Sequence, residues 1–239
     1  MRFAVFSDIH ANWEALEQAA AHSESLGIRK WVVLGDTIGY GANPNECFRW
    51  AQDHAAFHLM GNHEKAIVDP SIRSWFQDTA RIAIEWTAQE MDPALKKEIE
   101  AMTYLKTEGG LTFAHSSPDN PEDFRYILSE RDAEVSFKRS EARICFIGHT
   151  HVPACFVETK KELSSYLAPG KLKLDPQERY LLNPGSVGQP RDRDPRLSFG
   201  IFDEAEGTFE IVRLPYDNQK AAAKIRRAGL PAYLADRLL

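Results

Sequence analysis

The stretch that most constrains the fold is a short apolar run that stops abruptly at a glycine and an aspartate. Residues 31–34 (Trp-Val-Val-Leu) have the composition of a buried strand, and Gly35-Asp36 follows at once. Asp36 is therefore predicted to lie at the carboxyl end of a core strand, where open α/β folds place their ligands. A carboxylate in that position has to be paired, hydrogen-bonded or bound to metal, because burying it bare is too costly.

The same pattern, an apolar strand followed by a residue that can bind metal, recurs along the chain. Further apolar strands are predicted at residues 2–7, 57–60, 111–114 and 143–147. The metal-capable residues that follow the five strands are Asp8, His10, Asp36, Asn62, His63, His115, His149 and His151. A lone His or Asp at a strand end is more often structural or solvated than a ligand. Here, however, five of the eight histidines occupy such positions. Because the carboxyl ends of parallel strands meet at one edge of a sheet, these side chains are predicted to converge.

The remaining pattern predicts one α/β domain over residues 1–239. Helices at 11–26 and about 44–53 separate the first strands, and a strand–helix–strand order favours parallel pairing. Apolar residues at helical spacing predict a helical insertion at about 71–103, either a cap over the site or ordinary packing helices. Residues 153–214 are rich in predicted strands, and two helical pieces close the chain.

The net charge and the cysteine content limit the classes of binding partner and the cellular compartment that fit this chain. A formal net charge of −6 argues against a generic binder of nucleic acids or anionic membranes. The three scattered cysteines favour a reducing compartment, and the apolar run at residues 3–6 is too short for a signal peptide or a membrane span. We therefore expect a cytoplasmic protein with a small substrate, no stable nucleic-acid partner and no membrane association. The oligomeric state stays open.

Ligand chemistry indicates a pair of divalent cations. Carboxylate, imidazole and amide oxygen without thiolate suit Mn²⁺, Fe²⁺ or Zn²⁺. In Asp8-x-His10 and His149-x-His151, an extended backbone would put both outer side chains on one side. This many ligands would be too many for one ion and suit two ions that share a carboxylate. Two metals about 3.5–4 Å apart can clamp the attacking and leaving oxygens of a phosphoryl displacement.

The combined motifs resemble those of the calcineurin-like metallophosphoesterase superfamily. The resemblance rests on Asp8-x-His10, Gly35-Asp36, Gly61-Asn62-His63-Glu64, His115 and Gly148-His149-x-His151, in that order. The run from Asn183 to Arg191 further resembles the small prokaryotic YfcE-like phosphodiesterase branch. The implied fold is a four-layer αββα sandwich: two mixed sheets that face each other, with helices outside and a helical insertion near the active site.

The resemblance also implies roles for these residues. One metal would be held by Asp8, His10, Asp36 and His151, and the other by Asp36, Asn62, His115 and His149. Asp36 would bridge the two ions. His63 would stand beside the phosphate, stabilising its charge or protonating the leaving oxygen, with Glu64 as its orienting partner. Manganese is the expected metal, with iron, zinc, nickel or cobalt as alternatives.

The implied reaction is phosphoester hydrolysis by a metal-bound hydroxide. Family members that act on phosphoproteins typically follow the Gly-Asp element with Asp-Arg-Gly, but this chain has Thr37-Ile38-Gly39 after Asp36. Without that arginine clamp a singly charged diester becomes the favoured substrate. The alternatives are a dinucleoside polyphosphate hydrolase, a phosphomonoesterase or protein phosphatase, and a single-metal sensor. A non-catalytic scaffold is disfavoured, because the scaffolding retromer subunit of this superfamily lacks the histidine equivalent to His63.

Several neighbouring residues have two interpretations. Arg191 either reaches the substrate or belongs to a solvated, self-paired loop of alternating charges. Asn12 and Asn43 either donate to phosphate or cap helices, and Tyr40 either stacks on a leaving group or packs in the interior. Residues 183–186 (Asn-Pro-Gly-Ser) are predicted to form a turn that buttresses the metal site.

Overall fold

Two six-stranded mixed sheets form the centre of the molecule. The computed structural model describes residues 1–167 and 170–239. The first sheet has the spatial order β3 (Ala55–His58), β2 (Trp31–Val33), β1 (Arg2–Phe6), β11 (Leu197–Asp203), β12 (Thr208–Leu214), β9 (Lys171–Lys173). The second has the order β4 (Leu105–Glu108), β5 (Leu111–Ala114), β6 (Ile144–Phe146), β10 (Arg179–Asn183), β7 (Ala154–Glu158), β8 (Leu163–Leu167). Strands β1, β2 and β3 pair in parallel, as do β5, β6 and β10, so the strands that precede the candidate ligands run in one direction within each sheet.

The helices follow the predicted order, with additions. They are α1 (Trp13–Ser25), α2 (Pro44–His54), α3 (Asn62–Val68), α4 (Asp78–Glu90), α5 (Pro93–Glu100), α6 (Glu130–Arg139), α7 (Asn218–Arg227) and α8 (Ala232–Asp236). Two 3₁₀ helices cover Pro70–Trp75 and Pro121–Asp123. Within the part of the chain that the structure describes, none of the helices has the length and apolar character needed to cross a membrane.

Alternation along the strands builds the layers. On β1, Phe3 and Val5 face the second sheet, where the Phe3 ring lies 5.7 Å from the ring of Phe146. Ala4 and Phe6 face the opposite way and pack with residues of α1 and α2. This period-two alternation is what a strand buried on both faces requires.

The second sheet is covered in the same way. On its outer face, Cys145 of β6 and Phe156 of β7 pack against Ala133 and Phe137 of α6. Both sheets therefore have helices on the side that faces away from the other sheet. The predicted four-layer αββα sandwich is confirmed.

Three strands are not predicted from the pattern of apolar residues in the sequence, and all three lie at sheet edges. Strands β4 and β8 are the two edges of the second sheet, and β9 is an edge of the first. Their residues are mostly exposed, so they lack the apolar runs that mark the central strands. Edge strands in natural proteins are commonly short and polar.

The segment predicted as a helical insertion does contain helices, namely the first 3₁₀ helix, α4 and α5. Their apolar residues form one core with α3, in which Ile67 packs with Ile84 and Ile99. Phe76, just after the 3₁₀ helix, reaches the ring of His63 at 5.0 Å between centroids. The segment therefore has an ordinary packing role and also borders the candidate site.

His58, the last residue of β3, gives a pH-dependent contribution to stability. Its Nε2 lies 2.6 Å from the Thr37 hydroxyl, and burial lowers the pKa of the imidazole to about 3. In the unfolded chain the pKa is about 6.5, so between these values the unfolded state binds a proton that the folded state does not. Folding stability is therefore lost as the pH falls from about 6.5 toward 3.

We expect His58→Gln to flatten the loss of unfolding free energy over this pH range by at most about 1.4 kcal/mol per pH unit. The measurement is urea denaturation at several pH values, and the slope is compared between variant and parent. His54→Gln, at the exposed last residue of α2, is the matched control. Equal slopes for His58→Gln and the parent would contradict this assignment.

Candidate metal centre

The predicted site residues meet at one end of the two sheets. Asp8 and His10 follow β1, Asp36 follows β2, and Asn62 and His63 begin the helix that follows β3. From the second sheet, His115 follows β5, and His149 and His151 follow β6. All of these except Asn62 are buried, and Asn62 is partly exposed. The predicted convergence of these residues is therefore what the structure shows.

The backbone of this site is strained. Five of the predicted ligands adopt the left-handed conformation that favours glycine: Asp8 (φ 53°), His10 (φ 49°), Asp36 (φ 52°), His149 (φ 67°) and His151 (φ 60°). Each such residue costs free energy, and it persists only where the surroundings fix it. Here the ligand loops fix one another: the Asp8 and His10 amides donate to the carbonyls of Gly35 and Asp36. Strain concentrated in this way is typical of a functional site.

Asp8, His10 and His151 form the first ligand group. The Nε2 atoms of His10 and His151 are 3.0 Å apart, and Asp8 Oδ1 lies 3.3 Å from His151 Nε2 and 3.9 Å from His10 Nε2. Bonds of about 2.0–2.2 Å to one metal place adjacent ligand atoms roughly 3.0–3.5 Å apart. The observed separations suit a shared cation.

The tautomers of these two histidines are fixed by backbone carbonyls. His10 Nδ1 lies 3.0 Å from the Ile38 carbonyl, and His151 Nδ1 lies 2.6 Å from the Gln189 carbonyl. A carbonyl only accepts, so each Nδ1 carries the proton and each Nε2 presents a lone pair. Burial, the largest influence on both, lowers the pKa of each imidazole well below its usual value. Two lone pairs therefore face each other with no proton between them, and a cation resolves that conflict.

Asp36, His115 and His149 form the second group. His115 Nε2 lies 3.3 Å from Asp36 Oδ2 and 3.1 Å from His149 Nδ1. Asp36 Oδ2 also lies 3.8 Å from His10 Nε2, so the same carboxylate oxygen borders both groups. Asp36 is thus the residue that links them.

Unsatisfied atoms provide a test of whether the residues fit metal ions. Within residues 1–167 and 170–239, the buried atoms Asp8 Oδ1 and Asn62 Oδ1 have no hydrogen-bond partner. Buried polar atoms are normally paired, and both of these are oxygen donors suited to a divalent cation. Asp8, His10 and His151, and likewise Asp36, His115 and His149, each bring ligand atoms within 4.8 Å of one another. The donor set fits two divalent cations.

The electrostatics show the same need for positive charge. Burial raises the pKa of Asp8 to about 6. Burial also opposes protonation of His115, but the negative charges of Asp36, Asp8 and Glu64 outweigh it and raise the pKa of His115 to about 9. Burial disfavours the Asp36 anion too, yet His115 and His63 hold the pKa of that carboxyl well below its usual range. In the protein alone, a proton on His115 thus offsets part of the buried negative charge.

His63 lies at the border of the first group and the solvent-facing cleft. Its backbone amide donates to Asp36 Oδ1 at 2.9 Å, and its ring packs 4.6 Å from Tyr40 and 4.8 Å from His10 between centroids. Burial lowers the pKa of the ring to about 4, so it is neutral near pH 7. Gly39 (φ 82°) makes room for it, because a Cβ there would overlap the His63 ring.

Glu64 differs from the prediction, which made it the orienting partner of His63. Its two carboxylate oxygens accept from the backbone amides of Asp36 (2.8 Å), Thr37 (2.7 Å) and Gly61 (3.0 Å). It therefore joins the loop after β2 to the loop after β3, and so positions Asp36 and Asn62. Residues next to each other on a short helix point in different directions, which is why His63 and Glu64 face different partners.

The segment at 183–191 supports the ligand loops. Asn183 donates to the Gly148 carbonyl and the Thr150 hydroxyl, and Ser186 donates to the Asp8 carbonyl. The predicted buttress is therefore present. Ser7, which the sequence did not single out, donates to Asp8 Oδ2 at 2.7 Å. Like the carbonyls of Ile38 and Gln189, it has no recognisable pattern in the sequence.

The structure separates the two interpretations for Asn12 but matches neither for the side chain of Asn43. Asn12 caps α1 by accepting from the Ala15 amide, and its amide group donates to Gly188. Asn43 stands at the N-cap position of α2, but its side chain makes no capping hydrogen bond; it accepts from Lys224 and donates to Glu46. Both residues are thus occupied by structural contacts.

Arg191 and Tyr40 line an open cleft beside the ligands. The cleft has a volume of about 520 Å³, and Asn62 and His149 lie in its wall. Arg191 donates to the Tyr40 hydroxyl (3.4 Å) and to the Gln189 side chain (3.3 Å). The loop of alternating charges is not paired within residues 191–194, because Asp192 pairs with Arg213 and Asp194 with Arg196. The positive charge of Arg191 is therefore available to bind an anionic group in the cleft.

This fold and site are those of a member of the calcineurin-like phosphoesterase superfamily. The model of the calcineurin-like phosphoesterase superfamily domain matches residues 1–207, and the chain belongs to that superfamily. The chain is 38% identical to the protein MJ0912 of Methanocaldococcus jannaschii, over 98% of this chain and 96% of that protein.

Two solved structures have the same fold. A metallophosphoesterase from Sphaerobacter thermophilus is 33% identical, with a TM-score of 0.86 over 100% of this chain and 98% of that one. The protein PH1004 of Pyrococcus horikoshii shares the fold, with a TM-score of 0.81 at 17% identity over 99% of this chain and 97% of that one. The family match over residues 1–207 confirms the predicted superfamily.

Glu64→Gln tests the connection between the two ligand loops. Replacing one carboxylate oxygen by an NH₂ group sets a donor against a backbone N–H, and we expect a loss of about 1–3 kcal/mol in unfolding free energy. Denaturation of the metal-stripped variant measures this loss free of any effect of bound ions. The exposed Glu134→Gln is the control and should behave like the parent. Parent-like stability of Glu64→Gln would show that these three hydrogen bonds contribute little.

Proposed function

We propose that this protein is a dinuclear metal-dependent phosphoesterase, with a phosphodiester as its preferred substrate and the whole chain acting as one domain. One observation carries the proposal: two groups of buried ligand atoms lie side by side and share the carboxylate of Asp36. Membership of the phosphoesterase superfamily supports the reaction class.

The proposed ligands fall into two sets around the shared aspartate. Asp8, His10 and His151 would complete the first ion's set, and Asn62, His115 and His149 the second's. When bound, two such cations acidify a water molecule near neutral pH and offset negative charge on a phosphate group. The expected metal is manganese, with iron, zinc, nickel or cobalt as alternatives, because oxygen and imidazole donors accept all of them.

The chain's own groups would handle the substrate. A neutral His63 can donate one N–H hydrogen bond to a phosphate oxygen or to the leaving oxygen, and an anionic substrate nearby would raise its pKa toward protonation. Arg191 would bind one phosphate oxygen from the wall of the cleft.

The diester preference rests on the sequence Thr37-Ile38-Gly39 after Asp36, which lacks the arginine that would clamp a doubly charged phosphate. Phosphomonoesters and protein phosphoesters, which carry two negative charges, remain the alternative substrates of the same site, as do dinucleoside polyphosphates. A scaffold without activity is disfavoured because His63 is present, buried and in contact with the first ligand group.

Metal analysis with a substrate panel tests the proposal. Protein stripped of metal and reloaded separately with Mn²⁺, Zn²⁺, Fe²⁺, Ni²⁺ or Co²⁺ should take up two ions per chain. It should hydrolyse bis-p-nitrophenyl phosphate faster than p-nitrophenyl phosphate. One ion per chain would support a single-metal site, and a metal-saturated protein that hydrolyses no phosphate ester would support the scaffold.

His63→Ala separates chemistry from metal binding. We expect turnover of bis-p-nitrophenyl phosphate to fall by about 10²–10⁴, the scale of a lost proton donor, while metal content stays at the parental level. Asp36→Asn should instead empty the site. His54→Ala, an exposed histidine outside the site, controls for the loss of an imidazole. Unchanged turnover in His63→Ala would remove the role assigned to this residue.

A further inference from the structure

The cleft beside the ligands is walled by aromatic side chains from separate parts of the chain. Trp75 comes from the first 3₁₀ helix, Tyr126 from the loop before α6, and Tyr233 from α8. All three side chains are exposed to solvent, with relative exposures of 70% for Trp75, 46% for Tyr126 and 56% for Tyr233. Large aromatic residues gathered around one open cleft mark a ligand-binding surface.

The cleft is continuous with the candidate metal centre. Its wall includes Asn62 and His149, and the ring of Tyr126 stacks on the ring of His149 with centroids 4.0 Å apart. A group bonded to a phosphate at the metal centre would therefore extend directly into the aromatic cleft. The cleft's volume of about 520 Å³ lies in the range of about 300–1,000 Å³ that small-molecule sites occupy, well beyond what a phosphate alone needs.

The charge of the cleft favours an anion, in contrast to the net charge of the chain. Two arginines, Arg191 and Arg237, line it together with one carboxylate, Asp123, whereas the whole chain carries −6. Neither arginine forms an ion pair with any residue in the described ranges 1–167 and 170–239. The Arg237 guanidinium instead lies over the Tyr233 ring, with its Cζ 5.3 Å from the ring centroid. This pair adds positive charge to the aromatic surface of the cleft.

We infer that the group next to the scissile phosphate is a nucleoside, whose base stacks on Trp75 and Tyr233. This inference rests on the proposed phosphoesterase function and names its substrate class: phosphate esters of nucleosides. Bases stack on aromatic and guanidinium planes because every base has a π-face, and the anionic phosphate is drawn to the arginines. Tyr126 stacks on His149 beside the metal centre, and Trp75 and Tyr233 add further aromatic surface in the same cleft on which a base can stack.

Binding to the Mn²⁺-loaded protein tests the inference without relying on turnover. The probes are AMP, ribose 5-phosphate and phenyl phosphate, with affinities measured by titration calorimetry. AMP is expected to bind about 5- to 100-fold more tightly than ribose 5-phosphate, because only AMP carries a base to stack. Trp75→Ala and Tyr233→Ala should each reduce that ratio and leave the affinity for ribose 5-phosphate unchanged.

Tyr166→Ala removes an exposed tyrosine on β8, outside the cleft lining, and is the matched control that should keep the full ratio. Trp75 and Tyr233 are exposed, so the variants should fold, and thermal melting of each checks this. The inference is overturned if AMP does not bind, if AMP and ribose 5-phosphate bind alike, or if phenyl phosphate binds more tightly than AMP. It is also overturned if neither variant alters the ratio.

The two proposals fail in different ways. If the protein hydrolyses phosphodiesters but does not favour AMP, the nucleoside assignment fails and the phosphoesterase function stands. If AMP binding depends on Trp75 and Tyr233 but no ester of any kind is hydrolysed, the phosphoesterase function fails and the nucleoside pocket stands.

Discussion

The rest of the site depends on one close contact, in which the Nε2 lone pairs of His10 and His151 face each other. Their Nε2 atoms lie 3.0 Å apart, and each ring is fixed in its tautomer by a backbone carbonyl. In a folded protein without a cation this contact is unfavourable, and the buried carboxylate of Asp8 beside it adds a second unpaired donor atom. The surrounding fold therefore holds the ligands together against their own repulsion, which requires the rigid sheets on either side.

That rigidity comes from the way the ligand loops interlock. Backbone hydrogen bonds join the loops after β1 and β2, and the Glu64 carboxylate joins the loops after β2 and β3 by accepting three more. The loop after β6 is attached to Asp8 through the His149 amide, and to the turn at 183–186 through Asn183. This network supports the left-handed residues of the site, since the amides of Asp8, His10, Asp36 and His149 all donate to acceptors in neighbouring segments.

Much of the fold and the site could be predicted from the sequence, for a physical reason. Central strands such as β1 and β6 are buried on both faces, so they are continuous apolar runs, and the polar residue that ends each run is conspicuous. The edge strands β4, β8 and β9 had no such contrast with their surroundings. The roles of Ile38 and Gln189 could not be predicted either, because a backbone carbonyl is the same in every residue. Glu64 was predicted to orient His63 but instead binds backbone amides, because residues adjacent in sequence point in different directions on a helix.

The absence of a side chain at Gly39 has a consequence for how such a site can change. The imidazole of His63 occupies the volume that any side chain at position 39 would need, on a backbone (φ 82°) that already disfavours one. The position of the proposed proton donor is thus determined in part by a glycine in the loop after β2. A Cβ introduced there would displace the His63 ring, although position 39 is not one of the proposed metal ligands, so drift at this glycine could silence the proposed chemistry while the ligand residues remain in the sequence.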